Sequence, residues 1–584
     1  MDTTPYTTST AFLEALTETG VDYVFANLGS DHPGIVEAYA HARAAGDAHR
    51  FPRMIICPHE SVAFSAAQGY AQLTGRPQAV IVHVECGTQN IGGMLHNAAK
   101  GRTPVLVFAG ASPYTQYGEH TGSRNEFIQW IQDVHDQRGI VRGYTKYDNE
   151  IRTGANVKQL VHRAMQIATS QPAGPVYLVG AREVMEQHLD PAHTDDPRYH
   201  LQRTTPIAPA ALDPHTTDTI ARALTQADNP LIVTSYLGRD PRAVTQLKRL
   251  AESVAAPVLE SVPMRLNFPA DHPLHAGYQW NTQEPNPVLA RADAILAVDT
   301  DVPWIPQSNP PRPDARIFVI DTDPLKEQMP LWHVPAETFA RADARTALDQ
   351  LSTHITDTAM ADPATVDARR TRLAAEHDEN RQAVTAREQP AADTITPQSL
   401  VAQLRDLLAD LDDDTVVLTE AISNYHTVNE HLRATRPGSL IGSGGGSLGW
   451  HAGAAIGAKL AHPHTLVVSL VGDGSYLFGV PSSAQWTARR YNTPTLTVIF
   501  DNRGWKSPKL STLGVHPDGA AATHDDFQTG FDPEADLPGI AAAAGGAWAR
   551  TIDHPDQVAG TLKEAVDAVR AGQSAVVSAH VPKA

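Results

Sequence analysis

The chain has only two cysteines, Cys57 and Cys86, in 584 residues. Two thiols cannot build a disulfide framework, nor do they form a cysteine zinc site. It has no excess of positive charge either. Lys and Arg number 46 against 65 Asp and Glu, a formal net charge of −19. That balance argues against a phosphate backbone or an anionic membrane as partner. No apolar run approaches the roughly 18 residues that a membrane-spanning helix requires. The first residues lack the basic and apolar regions of a secretion signal, and Glu14 and Glu18 are wrong for a transit peptide. The expectation is a soluble cytoplasmic protein that acts neither on nucleic acid nor at a membrane. What is present is ordinary globular composition, 42% hydrophobic and 19% charged. The length exceeds one core and predicts two to four domains.

Apolar strands and small-residue helices alternate from the start. Tyr23 to Asn27, Met54 to Cys57, Ala79 to Val84 and Val105 to Ala109 read as strands. A helix opened by His59-Glu60 carries Ala63, Ala66, Ala67, Tyr70 and Ala71 at helical spacing and stops at Thr74-Gly75-Arg76-Pro77. Such alternation predicts an α/β fold with a doubly wound parallel sheet, here over residues 1–190. A second α/β unit spans 205–350, with strands near Leu231, Ala294 and Ile317. Asp321 at a strand end is placed to meet a ribose, but no G-x-G-x-x-G precedes it, so a dinucleotide reading has little support. Residues 355–394 are charged and poor in large apolar side chains, and predict a solvated connecting helix plus linker.

The third unit, 395–584, holds the densest signal. Val467 to Val471 is an apolar run without helical spacing, as a buried parallel strand should be. Gly472-Asp473-Gly474-Ser475 reads as a turn whose glycines let backbone approach a ligand closely. A helix-compatible stretch and a second strand then lead to Asp501-Asn502. In a βαβ unit both strand ends lie on one sheet edge, which sets Asp473 beside Asn502. Two oxygen ligands next to a Gly-rich turn suit Mg2+ holding a diphosphate. The plan of helix, polar break, strand and Gly-containing turn in 63–90 recurs in 452–475, which predicts that the first and third domains are a diverged duplicate pair.

Gly472-Asp473-Gly474-Ser475 with Asn502 resembles the thiamin-diphosphate motif, and His59-Glu60 with Gly69-Tyr70-Ala71 resembles the activating-glutamate motif of the same superfamily. Gly87-Thr88-Gln89-Asn90, Gly174-Pro175-Val176 and Gly446-Ser447-Leu448-Gly449 fit as well. The chain therefore resembles the acetolactate synthase, pyruvate oxidase and benzoylformate decarboxylase branch, in the order Pyr, central and PP domain. The resemblance implies thiamin diphosphate and Mg2+ as cofactors. It implies a decarboxylase or carboligase that acts on a 2-oxo acid through a C2 ylide and an enamine. It also implies a homodimer or homotetramer with each site between subunits. Glu60 is expected to activate the cofactor, which requires a buried setting. Gly446 would meet the amino group of the pyrimidine, and Leu448 would sit as an apolar wedge under the cofactor and force its two rings into a bent conformer. Asp473, Asn502 and the Gly504 carbonyl are the expected metal ligands. Asn90, Gly472, Gly474, Ser475 and the segment Ser423, Asn424, Tyr425 and His426 are the remaining cofactor candidates.

The substrate side is less determined. Asn27-Leu28-Gly29-Ser30 resembles the turn that carries an active-site serine in benzoylformate decarboxylase, and His83 stands where that enzyme has an acid/base histidine. Its second histidine has no counterpart, and Trp304 stands in that region. Gln129 is expected on the cofactor side of the pocket. Trp505 is expected as an apolar wall, and Lys506 or Lys509 as a partner for an acidic substrate group. The alternatives kept open are a C–C lyase of 2-hydroxyacyl-CoA thioesters, a diketone hydrolase, and an FAD-containing oxidase.

Overall fold

The computed structural model describes residues 6–190, 204–411 and 414–583. The junction expected around 190–205 falls mostly outside the described residues. Three six-stranded, all-parallel sheets organise the chain. The first comprises β1 (Tyr23–Ala26), β2 (Arg53–Ile56), β3 (Gln78–Val82), β4 (Val105–Ala111), β5 (Tyr147–Ile151) and β6 (Val176–Ala181), in the order 2-1-3-4-6-5. The second comprises β7 (Pro230–Thr234), β8 (Val258–Ser261), β9 (His275–Gln279), β10 (Ala294–Val298), β11 (Arg316–Asp321) and β12 (Thr338–Arg341), in the order 12-11-10-7-8-9. The third comprises β13 (Thr415–Glu420), β14 (Leu440–Gly442), β15 (Leu466–Gly472), β16 (Leu496–Asp501), β17 (Trp548–Ile552) and β18 (Ala575–His580). Its order, 14-13-15-16-18-17, repeats that of the first sheet strand for strand, as a duplicate pair should.

The central strands are mostly apolar and buried along their length because helices cover both faces. β3 and β10 have no exposed residue. The first and third domains are joined by helix-on-helix packing. Glu60–Thr74 lies against Trp450–Ala461, and their contact is built from small residues. A Cβ on Gly69 would stand 2.4 Å from the Ala454 carbonyl oxygen, and one on Gly457 would stand 1.9 Å from that of Ala66. One apolar cluster consequently runs through both domains, from Val62, Ala66 and Val80 to Trp450, Ala454 and Val467.

The connecting segment carries the expected helix, Pro363–Ala386, 24 residues long, and the structure adds that it is strapped to the central domain, with Arg369 donating to the carbonyls of Val254 and Ala227 at 2.7 Å each. The turn expected at 472–475 is shorter than expected: Gly472 ends β15, and Asp473 and Gly474 already open the short helix Asp473–Phe478.

Candidate active site

The site has two halves, each at the carboxyl edge of a duplicated sheet. In the third domain, β15 delivers Asp473 and β16 delivers Asn502. Asp473 is buried, and burial pushes its carboxyl up to about 6. Its Oδ1 accepts from the Gly474 amide at 2.8 Å and its Oδ2 from the Gly504 amide at 2.9 Å. The side-chain amide of Asn502 has one terminal atom 3.2 and 3.3 Å from the two Asp473 oxygens and 2.7 Å from the Gly504 carbonyl oxygen. With nitrogen there, the amide donates to all three. With oxygen there, the three residues form an all-oxygen donor set of the kind Mg2+ takes. Three residues expected as metal ligands are thus brought together, and the set fits the metal. Gly474 has a separate reason to be glycine, since a Cβ would stand 2.2 Å from the Trp505 ring. Trp505, expected as an apolar wall, packs onto the Asp473–Phe478 helix and edge-on to Phe531 at 5.0 Å and stays half-buried. Lys506 opens the helix Lys506–Val515, and Lys509 pairs with Asp525 at 3.4 Å.

The segment Gly444–Gly449 is held from three sides. The first-domain helix Gly92–Lys100 supplies His96, whose Nε2 accepts from the Gly446 amide at 3.1 Å. It also supplies Asn97, which bonds the Ser447 amide at 3.0 Å and carbonyl at 2.8 Å. Gln68 and Gln72 donate to the carbonyls of Ser443 and Gly442 at 2.8 and 3.0 Å. From beneath, the buried carboxylate of Glu420 at the end of β13 accepts from the Gly449 and His451 amides, the latter at 2.8 Å. Burial pushes Glu420 up to about 8. Gly446 itself is exposed, and a Cβ there would meet nothing within 4 Å, so the space beside it is open. Leu448 beside it is half-buried. Ser475 and Asn424 are buried and Ser423 is exposed. His426 turns along its own helix to Glu430 at 3.1 Å.

In the first domain, Glu60 begins its helix and is buried. Its Oε2 accepts from Asn90 Nδ2 at 3.0 Å. Gly87 leaves room beside it, since a Cβ there would lie 3.3 Å from Oε1. Two sequence candidates of this half have neighbours that contact His83 directly. Ser30 contributes its carbonyl to Arg182 at 3.2 Å, and the residue that reaches His83 is Asp31, with Oδ1 2.5 Å from Nδ1. Gln129 folds its amide back onto the Asn125 and Glu126 amides at 2.9 and 3.4 Å, and Gln132 instead places Oε1 2.9 Å from His83 Nε2. Asp31, Gln132, His96, Asn97 and Glu420 were all missed from sequence. Only Asp31 and Gln132 carried a signal, as near neighbours of residues that were named.

The crevice of the central sheet, at the ends of β7, β10 and β11, is lined by the chain's own charges, and Arg102, Asp301 and Lys326 border an open cavity there. Asp321 is buried and is taken by Lys326 Nζ at 2.6 Å, so it has no free carboxylate for a ribose. Lys326 also meets Asp301 at 2.9 Å, and Arg102 from the first domain donates to Asp301 at 3.0 Å. Arg102 stacks over Tyr236 at 4.1 Å.

Three domain models of thiamine pyrophosphate enzymes match the chain: the N-terminal TPP binding domain over residues 6–139, the central domain over 217–351 and the C-terminal TPP binding domain over 421–579. A sulfoacetaldehyde acetyltransferase of Castellaniella defragrans is 28% identical, covering 96% of this chain and 91% of that protein. A probable acetolactate synthase large subunit of Methanocaldococcus jannaschii is 26% identical over 77% of this chain and 73% of its own. A probable 2-ketoarginine decarboxylase of Pseudomonas aeruginosa is 26% identical over 89% and 87%. The fold of a 4-hydroxybenzoylformate decarboxylase of Rhodococcus jostii RHA1 superposes with a TM-score of 0.76, covering 99% of this chain and 100% of that one at 21% identity.

Proposed function

The chain belongs to the thiamine pyrophosphate enzyme family, and from that premise we infer that it is a Mg2+-dependent enzyme that removes CO2 from a 2-oxo acid. The observation that carries the reading is the convergence of Asp473, Asn502 and the Gly504 carbonyl. These would hold Mg2+ and, through it, a diphosphate. Ser475 would sit beside that diphosphate, and the carbonyl of Gly446 and Leu448 beside the pyrimidine. Glu60, kept in place by Asn90, would hold a proton at the far edge of the pyrimidine. When bound, thiamin diphosphate supplies a nucleophilic carbon that adds to the 2-oxo group and takes up the electron pair CO2 leaves behind. His83, on the first-domain edge, would give or take the proton that completes the reaction.

The site is proposed to form between subunits, in a homodimer or homotetramer. Glu60 finds its partner within its own domain. Large apolar side chains also lie exposed around both half-sites: Tyr114, Tyr117, Phe127 and Ile131 near the first, Phe478 and Val515 near the second. Exposed apolar surface of this kind marks association. A carboligase or acetyl-transferring outcome on the same site is the second reading, favoured by the 28% identity to the Castellaniella protein. The flavin and CoA readings rest on the fold alone: an open cavity borders Arg102, Asp301 and Lys326, but Asp321 is already paired with Lys326 at 2.6 Å and offers a ribose no free carboxylate. The test is to load the protein with thiamin diphosphate and Mg2+ and to supply a panel of 2-oxo acids, with and without aldehyde acceptors. CO2 release is the expected result. Tight cofactor binding with no CO2 from any member would overturn the reaction and leave the cofactor assignment standing.

A further inference from the structure

His83 sits in a setting built for it. Asp31, on the loop after β1, is 4% exposed, and its Oδ1 lies 2.5 Å from His83 Nδ1. Its Oδ2 accepts the Val84 amide at 3.1 Å. Two glycines make the space. A Cβ on Gly29 would stand 2.0 Å from His83 Nδ1, and one on Gly110 of β4 would stand 2.0 Å from Asp31 Oδ2. Val84, which follows the histidine, is held at φ +32°. A β-branched residue enters that region only under constraint, and its bond to Asp31 supplies one.

The other groups around the ring settle who carries the proton. His32 also lies near Asp31, 3.1 Å from Oδ1. Its Nδ1, however, accepts the Gly29 amide at 3.1 Å, and complete burial lowers its proton affinity, so it is the neutral neighbour. Glu85 and Cys86 face the ring from the following helix, and Gln132 from the loop after β4. Both ring nitrogens of His83 therefore point at oxygen acceptors, Asp31 Oδ1 and Gln132 Oε1 at 2.9 Å. Neutral imidazole carries one N–H and satisfies one of them; imidazolium satisfies both. The Asp31 hydrogen bond is also the largest influence raising the proton affinity of His83.

We propose that Asp31 is a positioning residue which, with Gln132, holds His83 doubly protonated as the proton donor of the site. Resting on the decarboxylation reading, this assigns the outcome. The Nε2 proton passes to the carbon left electron-rich by loss of CO2. The imidazole keeps its Nδ1 proton against Asp31, and water restores the other. The product released is an aldehyde, in preference to a coupled acyloin.

The test starts without substrate. Carbon-13-labelled histidine in the full-length protein, with His83→Gln to identify the signal, gives the midpoint of His83 titration. In Asp31→Asn that midpoint falls by about 1–3 pH units, the usual effect of losing an opposite charge in contact. In Gln132→Leu it falls by less. An unchanged midpoint in Asp31→Asn overturns the proposal whatever the protein turns over. With a 2-oxo acid that releases CO2, the pH above which aldehyde yield drops moves down with the midpoint in Asp31→Asn. A yield that falls equally at every pH also overturns it, because that would be a purely structural role. A 2-oxo acid panel that releases no CO2 sinks the functional reading, and the titration alone then decides on the dyad.

Discussion

Gly457→Ala tests the contact that joins the two halves of the molecule. The new Cβ would stand 1.9 Å from the Ala66 carbonyl oxygen and 2.8 Å from the Tyr70 nitrogen, both backbone atoms that cannot rotate away. Reaching an ordinary 3.4 Å contact means moving one helix about 1.5 Å off the other. A gap of that size forfeits much of the dispersion at the neighbouring close contacts, Gly453 on Ser65 and Gly69 on Ala454. Overpacking of this kind costs about 1–3 kcal/mol before lost burial is added, and the better helix propensity of alanine returns up to about 1. The expected net loss is about 2 kcal/mol. Gly560, in the exposed helix Val558–Arg570, is the control, since a Cβ there meets nothing within 4 Å. Gly560→Ala should gain about 0.5–1 kcal/mol from propensity alone. Urea unfolding of both variants with the wild type gives the comparison. Because Gln68 and Gln72 on the shifted helix hold Ser443 and Gly442, Gly457→Ala should also weaken thiamin diphosphate binding. A Gly457→Ala protein as stable as Gly560→Ala would show that the helices do not approach this closely.

Glu60→Gln should keep cofactor binding and slow exchange of the C2 proton of bound thiamin diphosphate by about 10²–10⁴-fold, read by quenched-flow proton NMR; unchanged exchange would remove Glu60 from the chemistry. Asp473→Ala should abolish Mg2+-dependent binding of thiamin diphosphate in calorimetry, and chelation of the wild type should do the same reversibly. Arg102→Met removes one of the two cations at Asp301, which keeps Lys326 at 2.9 Å, so the cost should stay below the about 3–5 kcal/mol of a buried pair broken from one side, while the urea midpoint should still drop below that of the exposed-pair variant Arg222→Met.

Much of this was legible because it is local. The strand-to-helix steps at Gly472-Asp473 and Pro58-His59-Glu60 are written in glycine placement, apolar runs and helix-stop signals, and those survive folding unchanged. The three α/β units and the duplication were legible for the same reason. What was missed depends on which way a side chain turns. Asp31 directly follows Ser30, and Gly110 on β4 leaves room for its carboxylate to reach His83. Gln129 and Gln132 are one helical turn apart. The first is consumed in capping its own loop. The seat of Trp505 depends on the missing Cβ of Gly474, which leaves room for its ring on the neighbouring helix. The strap helix Pro363–Ala386 has only four buried residues, Arg369, Leu373, His377 and Val384. It is held largely by arginine and histidine bonds to backbone carbonyls, which leave no period in the sequence.

The duplication explains why the site has two unlike halves. In the order 2-1-3-4-6-5, the chain reverses its direction of winding between β1 and β3, and loops at that point splay apart to leave a crevice. In the first domain this crevice receives Asp31 after β1 and His83 after β3. In the third domain the corresponding strands are β13 and β15, and they deliver Glu420 and Asp473 to the same place. One scaffold thus offers the same crevice twice, and the side chains divide the work between the copies. On the proposed reading the first copy carries the groups that would exchange protons, Glu60 and His83, with Asp31 positioning the histidine. The third carries fixed oxygen donors: Asp473, Asn502 and the Gly504 carbonyl, with Glu420 spent on anchoring backbone. A cofactor long enough to present a pyrimidine to one crevice and a diphosphate to the other needs both copies face to face. Neither half, read alone, would have specified it.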